Sequence, residues 1–69
     1  MKNNSFGKNL KELRLELGIS QKNLGEILGV VNQTISFWEQ GNREPDLDTL
    51  VKISRFFNVS TDYLLGLDN

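Results

Sequence analysis

Residues 17–41 read LGISQKNLGEILGVVNQTISFWEQG, and the fold turns on how this stretch divides. Ser20 is a good N-cap, because its hydroxyl can accept a backbone N–H of the first helical turn. Leu24, Ile27 and Leu28 follow at helical spacing, and Gly29 is a natural left-handed stop. A second helix fits Asn32 to Gln40, ended by Gly41. Working outward, Phe6, Leu10, Leu13 and Leu17 mark an earlier helix that stops at Gly18. Downstream, the breaker-rich turn Gly41–Pro45 leads to Asp46, which caps a helix carrying Leu47, Leu50, Ile53 and Phe57. Asn58 is the second-choice residue for a left-handed C-terminus. Ser60 caps a last short helix with Leu64 and Leu65, stopped by Gly66. No strand pattern competes, so the fold class is all-α: a compact bundle of five short helices.

The 69 residues make one domain, with 1–5 and 67–69 expected to be flexible tails. A chain this size buries only about 60% of its unfolded surface, so stability is expected at roughly 3–5 kcal/mol. There is no cysteine and no histidine. Disulfides and thiolate metal sites are excluded, and the commonest general base and neutral metal ligand are missing. No catalytic site, metal or cofactor is expected. The polar N-terminus is not a signal peptide, no apolar run reaches membrane-spanning length, and no small-molecule site is evident. The chain reads as cytoplasmic.

The helix over 32–40 carries the functional information. At about 100° per residue, Val31, Ile35 and Trp38 fall on one side. Gln33, Ser36, Phe37 and Gln40 fall on the other, with Asn32 at the exposed end. Trp38 therefore reads as core and not as a ligand platform. A bland surface helix carries Lys and Glu pairs, whereas this one carries amides, hydroxyls and a ring. Such groups suit base-pair edges: Asn and Gln can bond adenine bidentately, and apolar groups meet the thymine methyl. For Phe37 the alternative is an isolated exposed apolar residue without function. Glu39 lands near the core-facing side, and Arg14 shares the stripe of Leu10 and Leu17. Two opposite charges placed inward should pair, because a lone buried charge is very costly. The alternative is that both reach solvent at the stripe edges.

These residues resemble the Cro/repressor family of helix-turn-helix domains, the XRE family. The likeness is carried by Leu17-Gly18-Ile19-Ser20-Gln21, Leu24-Gly25, Leu28-Gly29-Val30, Thr34-Ile35-Ser36 and Trp38-Glu39. Gly41-Asn42-Arg43-Glu44-Pro45 and Val59-Ser60-Thr61-Asp62-Tyr63-Leu64-Leu65-Gly66 extend it, so that it spans Phe6 to Gly66. The resemblance implies a lambda-repressor-like five-helix bundle with its third helix in the major groove and its second crossing the backbone. It implies a sequence-specific regulator of transcription, a repressor of phage or bacterial type, acting on an operator as a homodimer. Base contacts then fall to Asn32, Gln33, Ser36 and Phe37, and phosphate contacts to Gln21, Lys22, Thr34, Asn42 and Arg43. Arg14 and Glu39 match the family's internal ion pair. Gly25 matches a position kept small, usually Ala, because a side chain there would push the two helices apart. Two departures stand out. Val31 replaces a capping Ser or Thr, and Phe37 replaces a polar or basic residue, leaving the reading face without Arg or Lys.

The formal net charge is −1, against the basic footprint usual for nucleic-acid binders. Glu12, Glu16, Asp46, Asp48, Asp62 and Asp68 lie elsewhere, so an acidic total can coexist with a neutral-to-basic reading face. With about four phosphates neutralised per dimer, log affinity would fall with log salt at a slope near −3.6. Amides plus Phe37 and no Arg favour A·T at the contacted positions. Leu15 and Phe56 face away from their core stripes, and Phe56, Val59, Tyr63 and Leu67 form a candidate self-association patch. The low charge and these apolar residues support a second reading, a protein-interaction module such as an antitoxin or antagonist.

Overall fold

The computed structural model describes residues 5–67, so the assignment of 1–4 and 68–69 to tails lies outside them. It contains five helices and, among the described residues, no strand: α1 (Ser5–Leu17), α2 (Gln21–Leu28), α3 (Asn32–Gln40), α4 (Leu47–Phe57) and α5 (Thr61–Leu65). Ser5 and Leu67 do not behave as tails. Ser5 is the first residue of α1 and lies so close to Gly66 that a Cβ there would come within 2.7 Å of it. The Leu67 N–H donates to the Asp62 carbonyl at 2.9 Å.

Side-chain caps start three helices as their residue types require. Ser20 Oγ accepts from Asn23 N at 3.0 Å, Asp46 Oδ1 from Thr49 N at 2.8 Å, and Ser60 Oγ from Tyr63 N at 2.9 Å. Hydrogen bonds from the Thr49 side chain and backbone hold the Asp46 carboxyl below the usual carboxylate range. The folded state thus favours the charged form, so this cap contributes stability above the unfolded pKa and loses it as pH falls through the lower, folded value. Asp46→Asn, which keeps a capping oxygen but does not titrate, is expected to flatten the acid limb of a stability-versus-pH curve.

The core draws on every helix: Phe6 and Leu10, Leu24 and Leu28, Ile35 and Trp38, Leu50 and Ile53, and Leu64. Phe6 meets Trp38 edge-to-face at 6.3 Å between ring centroids. Two polar ties cross between helices. Asn9 Nδ2 donates to the Tyr63 and Leu64 carbonyls at 2.9 and 3.3 Å, closing the end of α5 from α1. Lys52 Nζ donates to the Leu28 carbonyl at 3.1 Å, placing a cation on the negative end of α2.

Four residues expected on apolar stripes are instead exposed: Leu17, Ile27, Val31 and Leu47. Leu17 and Leu47 have roughly the right angle but occupy the last position of α1 and the first of α4, beyond the packed turns. Val31 is the N-cap of α3, with extended backbone (φ −76°, ψ 155°), so helical angles do not govern it. Ile27 is displaced by Gly25. A Cβ on Gly25 would stand 2.5 Å from the Val30 carbonyl oxygen and 3.3 Å from Asn32 N. The chain entering α3 therefore sits on that side of α2, and the buried face rotates toward Gly25 and away from Ile27. Gly25→Val should cost about 1–3 kcal/mol as overpacking, read by urea denaturation. An unchanged midpoint would contradict this account of the turn.

Val31 makes no side-chain cap bond. Because it is 65% exposed, Val31→Ser loses little packing and supplies the missing acceptor. It is expected to gain about 1 kcal/mol, seen as a rise of roughly 4–8 °C in Tm.

Candidate nucleic-acid interface

Three helices are tied together at one buried point. Arg14 Nε and Nη2 donate to Glu39 Oε2 and Oε1 at 2.7 and 3.1 Å, a bidentate pair between α1 and α3. Arg14 Nη1 donates to the Ile19 carbonyl at 2.9 Å, and Gln21 Nε2 donates to Glu39 Oε1 at 3.0 Å. Both charged residues are 8% exposed. A guanidinium fork matches two carboxylate oxygens geometrically, and the further donors help to offset the desolvation of the pair. The cluster sets α3 against α1 and holds Gln21, the first residue of α2, beside α3. Gln21 is half-buried and its amide lies on Glu39; Lys22 follows it, exposed.

The solvent side of α3 carries the expected residues in two groups. Asn32 and Gln33 stand exposed on the first turn, while Thr34 is half-buried with its N–H bonded to the Val31 carbonyl at 3.0 Å. Ser36 and Phe37, read as outward-facing, are half-buried. Toward the C-terminus the polar groups are linked: Gln40 Nε2 donates to Ser36 Oγ at 2.9 Å, and Asn42 Nδ2 donates to Gln40 Oε1 at 3.2 Å. The Arg43 guanidinium lies over the Phe37 ring, 5.3 Å from its centroid. The turn that makes this possible ends α3 with Gly41 at φ 81°; Asn42 N donates to the Phe37 carbonyl at 2.9 Å.

The Ser36–Gln40 link is an i,i+4 pair that helical spacing could have revealed. The Arg43–Phe37 contact had no such signal, since it spans a left-handed turn. The structure thus gathers Ser36, Phe37, Asn42 and Arg43 into one strip with Asn32 and Gln33 on the same helix. Lys22 and Gln21 come from the start of α2. Glu12 and Glu16 sit on α1, Glu26 on α2, Asp48 on α4, Asp62 on α5 and Glu44 next to Arg43 in sequence, all exposed.

Of the apolar residues read as a patch, Phe56 and Leu67 are exposed, Val59 and Tyr63 half-buried. Val59 also packs against the core, and Phe56 sets its ring edge-to-face on Phe57 at 4.8 Å. Leu15 on α1 is exposed.

A family model described as helix-turn-helix matches residues 10–64. The HTH-type transcriptional regulator ImmR of Bacillus subtilis is 52% identical over 64 residues, 93% of this chain and 50% of that protein. Repressor protein C2 of Salmonella phage P22 is 38% identical over 63 residues, covering 91% of this chain and 29% of that protein. The chain spans about half the length of the Bacillus subtilis regulators ImmR, YonR and YqaE, to which it is similar. Among solved structures, the P22 c2 repressor in complex with a synthetic operator superposes with a TM-score of 0.85 at 38% identity, over 91% of this chain and 96% of that one. Fold and sequence agree: the chain belongs to the helix-turn-helix family, in its Cro/repressor, or XRE, branch.

Proposed function

We propose that this chain is a sequence-specific double-stranded DNA-binding regulator of transcription, a repressor of phage or bacterial type, working in the cytoplasm by binding and not by catalysis. The observation that carries this is the solvent face of α3. It presents Asn32, Gln33 and Ser36, which offer donors and acceptors without net charge, on a helix locked at a set angle by Arg14–Glu39. The fold is shared with a repressor solved on its operator. In such domains the recognition helix meets base edges chiefly through its N-terminal residues, which assigns base contacts to Asn32, Gln33 and Ser36. Gln21, Lys22, Thr34, Asn42 and Arg43 take the phosphates. The chain acts as a homodimer on a two-fold operator with half-sites roughly 34 Å apart, and Phe56, Val59, Tyr63 and Leu67 are the candidate contact between subunits.

The test is selection from random-sequence duplexes at two salt concentrations. A two-fold symmetric, A·T-rich motif with a salt slope near −3.6, for about four phosphates, is expected. Folded protein that enriches nothing at low salt would refute DNA binding and favour a protein partner, with Leu15 and Phe56 as the residues to mutate.

A further inference from the structure

The reading face lacks Arg and Lys, yet a guanidinium stands against it. We infer that Phe37 is a positioning residue whose ring holds Arg43 as a phosphate clamp at the C-terminal edge of α3, and is not itself a base contact. This rests on the DNA-binding reading above.

Three observations carry it. The Arg43 guanidinium lies over the Phe37 ring at 5.3 Å, within the range where the ring quadrupole attracts a cation. The Arg43 main chain springs from a constrained turn: Gly41 is left-handed and donates to the Phe37 and Trp38 carbonyls, and Asn42 is fastened through its N–H to Phe37 and through its amide to Gln40. Phe37 is half-buried and Arg43 exposed, so the ring is a fixed platform and the cation faces outward. Phe37 also stands in the second half of α3, whereas base edges are met chiefly from the N-terminal residues of a recognition helix. The C-terminal carbonyls of α3 carry partial negative charge, so a phosphate near this end needs a cation beside it. A planar guanidinium stacked on a ring still offers its edge N–H groups to phosphate oxygens.

The test uses the full chain and the duplex recovered by selection. Arg43→Gln is expected to weaken binding about tenfold per subunit, one charged hydrogen bond being lost at each half-site, and to flatten the salt slope by about 0.9 per phosphate lost. Phe37→Leu should weaken binding about two- to fivefold per subunit, as an exposed cation–π contact implies, equally on all sequences and with the selected motif unchanged. It should have no further effect in the Arg43→Gln background, and Phe37→Tyr, which restores a ring, should bind like the parent. In the free protein, ring-current shifts of the Arg43 side-chain protons should be present and should vanish in Phe37→Leu. A changed base preference in Phe37→Leu, or an equal loss with and without Arg43, would overturn the assignment and make Phe37 a direct contact. Absent ring-current shifts in the parent would overturn the stacking itself. If the shifts are present but no duplex binds, the DNA-binding reading fails and takes the clamp with it.

Discussion

Glu39→Ala is expected to leave little folded protein. The substitution removes the acceptor of two Arg14 bonds and one Gln21 bond and strands the charge of Arg14, whose side chain is 10% exposed. Breaking a buried pair from one side costs about 3–5 kcal/mol, close to the roughly 3–5 kcal/mol that a domain of this size has in total. Circular dichroism with urea titration measures it. The cost lies in the stranded charge more than in the lost attraction, so the double replacement Arg14→Met with Glu39→Leu should recover most of the stability. A loss below about 1 kcal/mol in Glu39→Ala would mean that Arg14 finds solvent, contrary to its observed burial.

Trp38→Ala is the second large effect. The indole is 4% exposed, lies in the shared core and meets Phe6 edge-to-face. Truncating such a ring costs about 3–5 kcal/mol through lost transfer energy and the cavity left behind. Trp38→Phe keeps a ring opposite Phe6 and should lose much less. Circular dichroism is the suitable readout, because Trp38 is the only tryptophan. A Trp38→Ala protein as stable as the parent but unable to bind DNA would instead make the indole a ligand platform. The two losses are not additive, since Glu39 and Trp38 adjoin on α3 and either one removes most of the available stability.

The amino-acid sequence by itself determined the fold class, most helix ends and the inward placement of Arg14 and Glu39. Each rests on local chemistry. Ser20, Asp46 and Ser60 cap because a side-chain oxygen next to a helix start can take an N–H, and glycines or Asn58 stop helices because they accept the left-handed conformation. Helical angle turned both charges inward and left two outcomes, a pair or an escape to solvent at the stripe edges; the structure shows the pair, with both residues buried. Tertiary packing decided what angle cannot. Leu17 and Leu47 are exposed at the last position of α1 and the first of α4, and Ile27 because the chain entering α3 closes on Gly25. It also brought Gln21 to Glu39 and laid Arg43 on Phe37. Both contacts depend on where a turn sends the chain next, and a left-handed residue reverses direction in a way that no periodicity records. The solvent face of α3 was thus legible as a set of residue types, whereas the link of Ser36, Gln40 and Asn42 into a chain and the stacking of Arg43 at its C-terminal end came from the fold.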